Sequence, residues 1–251
     1  MKSVGWTVFW RAKKDWDSKM AIEVQNLVNA VVHWLEYEYA IGRGDLFDEA
    51  YLAYPLGTYL QVHGGGEVRP EELHPVLNRN VVGKGRKAAV DFVIAPRGSD
   101  VWDWAIETKF IVENRDFSQE VFDDILRLEC LVQSFKAARY LLVMAGPGNL
   151  LHDLLKVRAG QVGGGGGNQP LFPSVLSADL AAAEIKVDLE HGAEPQLGYW
   201  KDAKKEKMDG WPASLTTRLL GKAGDVAVAV TTFSCLAWEI VPTVRPVIQL
   251  P

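Results

Sequence analysis

The sequence predicts an α/β domain with a mixed central sheet flanked by helices. Three observations predict it. KAAVDFVIAP (Lys87–Pro96) and VWDWAIETKFIV (Val101–Val112) are rich in β-branched and aromatic residues and are separated by turn residues. SQEVFDDILRLECLVQSFKAA (Ser118–Ala138) carries an apolar stripe of helical period. RYLLVMAG (Arg139–Gly146) follows it as a short apolar run of strand length.

In chain order, DSKMAIEVQNLVNAVVHWLEYEYA (Asp17–Ala40) reads as a helix. Ser18 can cap it, Met20, Val24, Leu27, Val31, Trp34 and Leu35 form its stripe, and Gly42 and Gly44 end it. FDEAYLAYPLGTYLQV (Phe47–Val62) is aromatic and broken near Pro55 and Gly57, and it reads as one strand or two short ones. EVRPEELHPVLNRN (Glu67–Asn80) is polar and reads as loop with a helical turn. The two strong strands follow, and PRGSD between them supplies turn chemistry for an antiparallel hairpin.

In the next helix, Ser118 is the cap and Glu120 lies in the first turn. Val121, Ile125, Leu128, Val132 and Phe135 make the buried stripe. Arg139–Gly146 is then a buried strand, stopped by Gly146-Pro147-Gly148, and a crossover through the preceding helix allows it to run parallel to the second strand of the hairpin. Asn149–Ala159 reads as a short helix, and the Gly163–Gly167 run as a flexible surface loop. Leu176–Glu190 suggests a helical turn and a strand, Asp209–Gly224 a short helix, and Asp225–Pro242 a late buried strand or hairpin.

Bulk properties narrow the function. The 251 residues are 48% hydrophobic and 24% charged, which suits a single domain with a sizeable core. The net charge of −5 supplies no general grip on a polyanion, so a nucleic-acid partner needs a local basic patch. Cys130 and Cys235 lie in apolar runs without zinc-ligand spacing and read as buried thiols. The charged first twenty residues exclude a secretory apolar core, and no apolar run reaches membrane-span length, so a cytoplasmic protein is expected. Some motifs lack their context. His63–Gly66 (HGGG) has no accompanying G-x-S-x-G turn, and the glycine run lacks the G-K-[ST] ending of a phosphate loop.

The chemistry gathers on the hairpin. Alternate residues of a strand share a face, so Glu107 and Lys109 point the same way and Thr108 the other. Asp91 sits on the partner strand, where the hairpin can bring its carboxylate beside that of Glu107. Two carboxylates at short range raise each other's pKa unless a cation intervenes. Hard oxygen ligands of this kind suit Mg²⁺, which keeps waters and accepts phosphate oxygens. Lys109 beside such an ion can activate water or steady the charge that develops in phosphoryl displacement. A structural ion-pair cluster is the plainer reading of the same residues. It is disfavoured because a buried triad without a task is seldom better than apolar residues.

Asp91, followed by Glu107-Thr108-Lys109 on the next strand, resembles the signature of the PD-(D/E)xK nuclease superfamily. The predicted order of elements over about residues 18–145 is similar to its restriction-endonuclease-like αβββαβ core, and residues from about 146 to 251 form a C-terminal extension. Val90 stands where the motif's proline often does. The resemblance implies a Mg²⁺-dependent nuclease acting on DNA, with Mn²⁺ able to substitute. Asp91, Glu107 and the Thr108 carbonyl are the implied metal ligands, and Lys109 is the implied catalytic cation. It also implies a first-helix glutamate facing the metal, for which Glu23 fits best and Glu36 and Glu38 less well. Asp124 and Arg127, three apart on one helix face, either pair with each other or present Arg127 to a phosphate. Lys84, Arg86 and Lys87 precede the Asp91 strand and are candidates for contact with a nucleic-acid backbone. A homodimer or larger assembly is typical of the superfamily. The alternative is a catalytically inactive binding or scaffold module on the same fold.

Overall fold

The structure is a computed structural model that describes residues 22–75, 77, 87–113, 117–134, 137–155, 184–188, 211–212, 214–224, 233–241 and 247–248. Ser18, Met20, Lys84, Arg86 and the Gly163–Gly167 run lie outside the described residues.

Helix α1 (Val24–Ala40) and helix α2 (Glu49–His63) come first, joined by a 3₁₀ turn at Gly44–Leu46. Strands β1 (Glu67–Leu73), β2 (Ala89–Ala95) and β3 (Trp102–Phe110) form an antiparallel meander. Helix α3 (Ser118–Ser134) crosses over to β4 (Ala137–Pro147), which runs parallel to β3. After α4 (Gly148–Leu155), β5 (Glu184–Asp188), β7 (Ser214–Ala223) and β8 (Phe233–Ile240) join the same sheet. Its seven strands run in the order β1-β2-β3-β4-β8-β7-β5, and β3/β4 is its parallel pair. A separate two-stranded ladder pairs β6 (Trp211–Pro212) with β9 (Val247–Ile248). The fold is therefore α/β with a mixed sheet flanked by helices.

Each sheet face carries its own core. On one face Val121, Ile125 and Leu128 of α3 and Leu151 of α4 pack on Val93, Ala105, Leu142, Met144 and Trp238. On the other, Leu27, Val31 and Leu35 of α1 and Leu52, Leu56 and Leu60 of α2 cover Phe92, Ile94, Trp104, Ile106, Leu141 and Val143. Full burial of a side chain of this size contributes roughly 1.5–3 kcal/mol. The alternation of β2 and β3 thus feeds two apolar layers, which is why both strands read as near-continuous apolar runs. Trp104 and Phe110 lie on the face opposite Glu107, as the alternation requires, whereas Trp102 packs in the cluster on the α3 side.

Three segments differ from the sequence expectation. Phe47–Val62 contains a helix instead of strands. Asp48 caps it by accepting a hydrogen bond from the Tyr51 N–H (2.7 Å), and Leu52, Leu56 and Leu60 repeat every four residues on its buried face. Pro55 sits inside this helix and removes one backbone bond, which outweighs neither the cap nor the stripe. Glu67–Leu73, expected as loop, is a strand. It lies at the sheet edge, where Pro70 and the acidic residues are tolerated. Asp209–Gly224, expected as a short helix, instead holds β6 and β7, and the tail contributes three strands to the main sheet. β8, antiparallel to β4, extends the sheet as the late apolar run suggested.

Candidate active site

The site sits where the β-ladders around β2 lapse. β1 pairs with β2 at Pro70↔Phe92 and again at Glu72↔Val90, skipping Glu71 and Asp91. Glu71 there has a positive φ of 50°. On the other side the β2/β3 register ends at Phe92↔Ile106, one step short of Asp91 and Glu107. In place of a backbone carbonyl, the Asp91 carboxylate accepts both the backbone N–H of Thr108 (2.7 Å) and its hydroxyl (2.8 Å). A carboxylate has thus replaced a ladder acceptor, and it ties β2 to the middle of the Glu107-Thr108-Lys109 run.

Glu107 and Lys109 point toward α3, as their spacing predicts. Glu107 is fully buried and is held bidentately by Arg127, with Nε donating to Oε1 (3.0 Å) and Nη2 to Oε2 (2.6 Å). Arg127 Nη2 also lies 3.3 Å from Asp124 Oδ1. Lys109 Nζ is 2.8 Å from Glu49 Oε2, 3.2 Å from Asp124 Oδ2 and 3.9 Å from Glu120 Oε2. Asp124 and Arg127 therefore do share a helix face, and they form the roof of this cluster.

The electrostatics follow from burial. Desolvation lifts Glu107 well above the usual carboxylate range. Arg127 pulls it down, and the neighbouring charges of Asp91 and Asp124 push it up again. Desolvation also raises Asp124, to about 6, against the opposing pull of Arg127 and Lys109. Burial would lower Lys109, but Asp124 and Glu49 outweigh it and the ammonium is held more firmly than usual. Arg127 is likewise raised, with Glu107 and Asp124 prevailing over its burial. When all groups are ionised, the five carboxylates of Asp91, Glu107, Asp124, Glu49 and Glu120 exceed the two cations. The cluster then carries net negative charge and attracts a further cation.

Two positioning contacts were invisible in the sequence. Phe47 packs edge-on against Phe110 and Phe233, with ring centroids 5.9 and 5.2 Å apart, and this places the start of α2 so that Glu49 reaches Lys109. The fully buried His74, beyond the end of β1, accepts the Leu77 N–H at Nδ1 (3.1 Å). Its Nε2 therefore carries the proton and donates to the Arg127 carbonyl (3.0 Å), pinning α3 over the site. No spacing rule connects residue 49, 74 or 120 to the motif, because each contact is made across the fold.

Other expected site residues lie apart. Glu23 is the exposed N-cap of α1 and accepts a hydrogen bond from the Asn26 side chain, and no described contact joins it to Asp91 or Glu107. α1 packs on the sheet face opposite Glu107, so its start is not aimed at these carboxylates. Glu36 is a half-exposed partner of His33, and the buried Glu38 is engaged by Tyr51 and Arg43. Lys87 is exposed at the entry to β2. The Thr108 N–H and hydroxyl both serve Asp91.

Asp91 and Glu107 supply the hard oxygens a divalent ion takes, and the negative excess suits one. Among the described residues, however, no three His, Cys, Asp or Glu side chains form a ready-made metal-holding group. Glu107 is instead fully engaged by Arg127. Also among the described residues, no helix is long and apolar enough to cross a membrane. Comparison with family models, with curated proteins and with solved structures yields no match.

Proposed function

We propose that this domain is a metal-dependent phosphodiester hydrolase acting on DNA, with a restriction-endonuclease-like core of PD-(D/E)xK type. The observation that carries the reading is the junction at Asp91: both ladders lapse there, and its carboxylate is bonded to the chain segment that presents Glu107 and Lys109. The helix, antiparallel meander, crossover helix and parallel strand around it agree with that core, with α2 as an additional helix.

In this reading Asp91 and Glu107 hold Mg²⁺ or Mn²⁺, with the Thr108 carbonyl as a further donor. When bound, the ion polarises the phosphoryl oxygens and lowers the pKa of a coordinated water. Lys109 keeps its proton, because Asp124 and Glu49 hold the ammonium. Its part is therefore electrostatic, steadying charge on the phosphoryl group, and a neutral lysine is not available to take a proton from water. Lys87 faces solvent beside β2 and meets the nucleic-acid backbone.

The test is cleavage of supercoiled and linear DNA, with an RNA substrate in parallel, in Mg²⁺ or Mn²⁺. Cleavage by the native chain that disappears in Asp91→Ala and falls by roughly two orders of magnitude or more in Lys109→Ala supports the reading. Cleavage unchanged in both variants sinks it. A second reading, a non-catalytic binding module, is favoured by the pairing already made: Glu107 and Lys109 both have close partners of opposite charge. DNA retention in a mobility-shift assay, with no cleavage under any divalent ion, would select it.

A further inference from the structure

Arg127 holds the two Glu107 oxygens that the metal reading above assigns to a divalent ion. It takes both oxygens, at 3.0 and 2.6 Å, with a third contact to Asp124 at 3.3 Å. The two partners differ in freedom. The Glu107 side chain is fully buried on the middle strand of the site, whereas the Arg127 side chain retains 26% exposure and has a route to solvent. The Arg127 backbone is fixed by the His74 Nε2–H at its carbonyl. The guanidinium can therefore leave by side-chain rotation while α3 stays in place.

We infer that Arg127 is an internal cation gate: its guanidinium and a divalent ion compete for the Glu107 carboxylate, and the displaced guanidinium turns outward to bind a phosphate of the substrate. The inference rests on the metal-carboxylate reading above. While the gate is shut, the buried Glu107 charge is compensated and the fold is secure. When it opens, a planar bidentate donor is freed at the rim, the geometry that suits phosphate. Metal binding and phosphate binding thus reinforce each other through one side chain. Each ligand stabilises the arrangement the other requires, and the coupling is reciprocal.

The experiment measures metal binding, independent of turnover. Mn²⁺ alone is titrated calorimetrically into the native chain, Arg127→Met, Glu107→Gln and Asp91→Ala. Removing the competitor should tighten Mn²⁺ binding by about a hundredfold or more, the factor expected if opening strands the buried Glu107 charge and the open arrangement is populated less than about 1% of the time. Glu107→Gln and Asp91→Ala should abolish binding. Because Arg127→Met leaves a buried charge unpaired and can fail to fold without metal, a second measurement uses the native chain. The ¹⁵N-resolved Arg127 Nε–H resonance should shift on saturation with Mg²⁺, and shift again when inorganic phosphate is added.

Mn²⁺ binding that is equal or weaker in Arg127→Met overturns the gate while leaving the metal site standing. So does an Nε–H resonance indifferent to Mg²⁺ at concentrations where Mn²⁺ binding is lost in Glu107→Gln. No Mn²⁺ binding by any folded protein in the series overturns the metal reading, and the gate with it.

Discussion

Glu107 has no contact with water, so its charge must be answered from within the protein. Arg127 gives that answer, and the pair is worth more as a pair than either member is alone. Arg127→Ala should destabilise the domain by about 3–5 kcal/mol in urea unfolding, because it strands a buried carboxylate. The double change Glu107→Leu with Arg127→Met should recover most of that loss, since the apolar pair needs no compensation. Recovery absent from the double variant would mean that the ion pair, and not the stranded charge, supplies the stability.

Asp124 allows a sharper test at the same scale. Its folded pKa is raised from the ordinary aspartate value of 3.8 to about 6, so the folded state binds more protons than the unfolded one between those limits. Its contribution to stability is therefore fully present below about pH 4, is lost as pH rises to about 6, and changes no further above that. The stability difference between native and Asp124→Asn proteins should fall by up to roughly 3 kcal/mol across that window. Thermal or urea unfolding at pH 4, 5, 6 and 7 checks it, and a difference that rises with pH would contradict the placement of Asp124.

At the scale of elements, the hairpin and the crossover helix were legible because their signals are local. Asp91, Glu107 and Lys109 were found for the same reason: strand alternation fixes which way each points. Helix α2 was not legible. Tyr51, Tyr54 and Tyr59 have strand-like composition, and Pro55 disguised a helix whose cap and leucine spacing were both present. β1 was missed because an edge strand keeps its polar residues in water and shows no apolar alternation. The contacts of Glu49, His74 and Glu120 escaped notice because their elements had to be placed before those contacts existed.

The end of β4 makes a separate prediction. Gly146 has φ of +156°, and a Cβ there would come within 2.6 Å of the Ile111 carbonyl oxygen, directly after the bond from the Ile111 N–H to the Ala145 carbonyl (2.8 Å). Gly146→Ala should cost about 1–3 kcal/mol from backbone strain alone, read as a lowered urea midpoint with an unchanged slope. A midpoint within error of the native one would show that this junction relaxes freely.

Across the whole molecule, the segment beyond α4 completes the structure. β4 has β3 on one side and β8 on the other, and Cys235, Leu236, Ala237 and Trp238 of β8 are wholly buried on the two faces. A chain ending at residue 155 would expose β4 as a long apolar edge with half-covered cores on both sides. It should lose near-ultraviolet circular dichroism and fast-exchange protection on β3 and β4, and it should aggregate. A truncated chain that unfolds cooperatively would show that residues 22–155 are an independent unit. Net charge belongs to this scale too. At −5 the chain as a whole repels a polyanion, so any grip on DNA depends on the local cations and on neutralising the acidic site.

The sequence by itself determined the α/β class, the β2–β3 hairpin, the amphipathic α3 and the positions of the two acids and the lysine. These follow from periods of two and 3.6 residues and from turn chemistry, all of which act within a few residues of chain. Only the tertiary structure decided that Arg127 grips Glu107, that Glu49 reaches Lys109 from α2, that Glu23 stays at the far surface, and that the tail builds three of the seven strands of the sheet. Those outcomes depend on which apolar faces cover one another, and that is settled by burial between segments far apart in the chain.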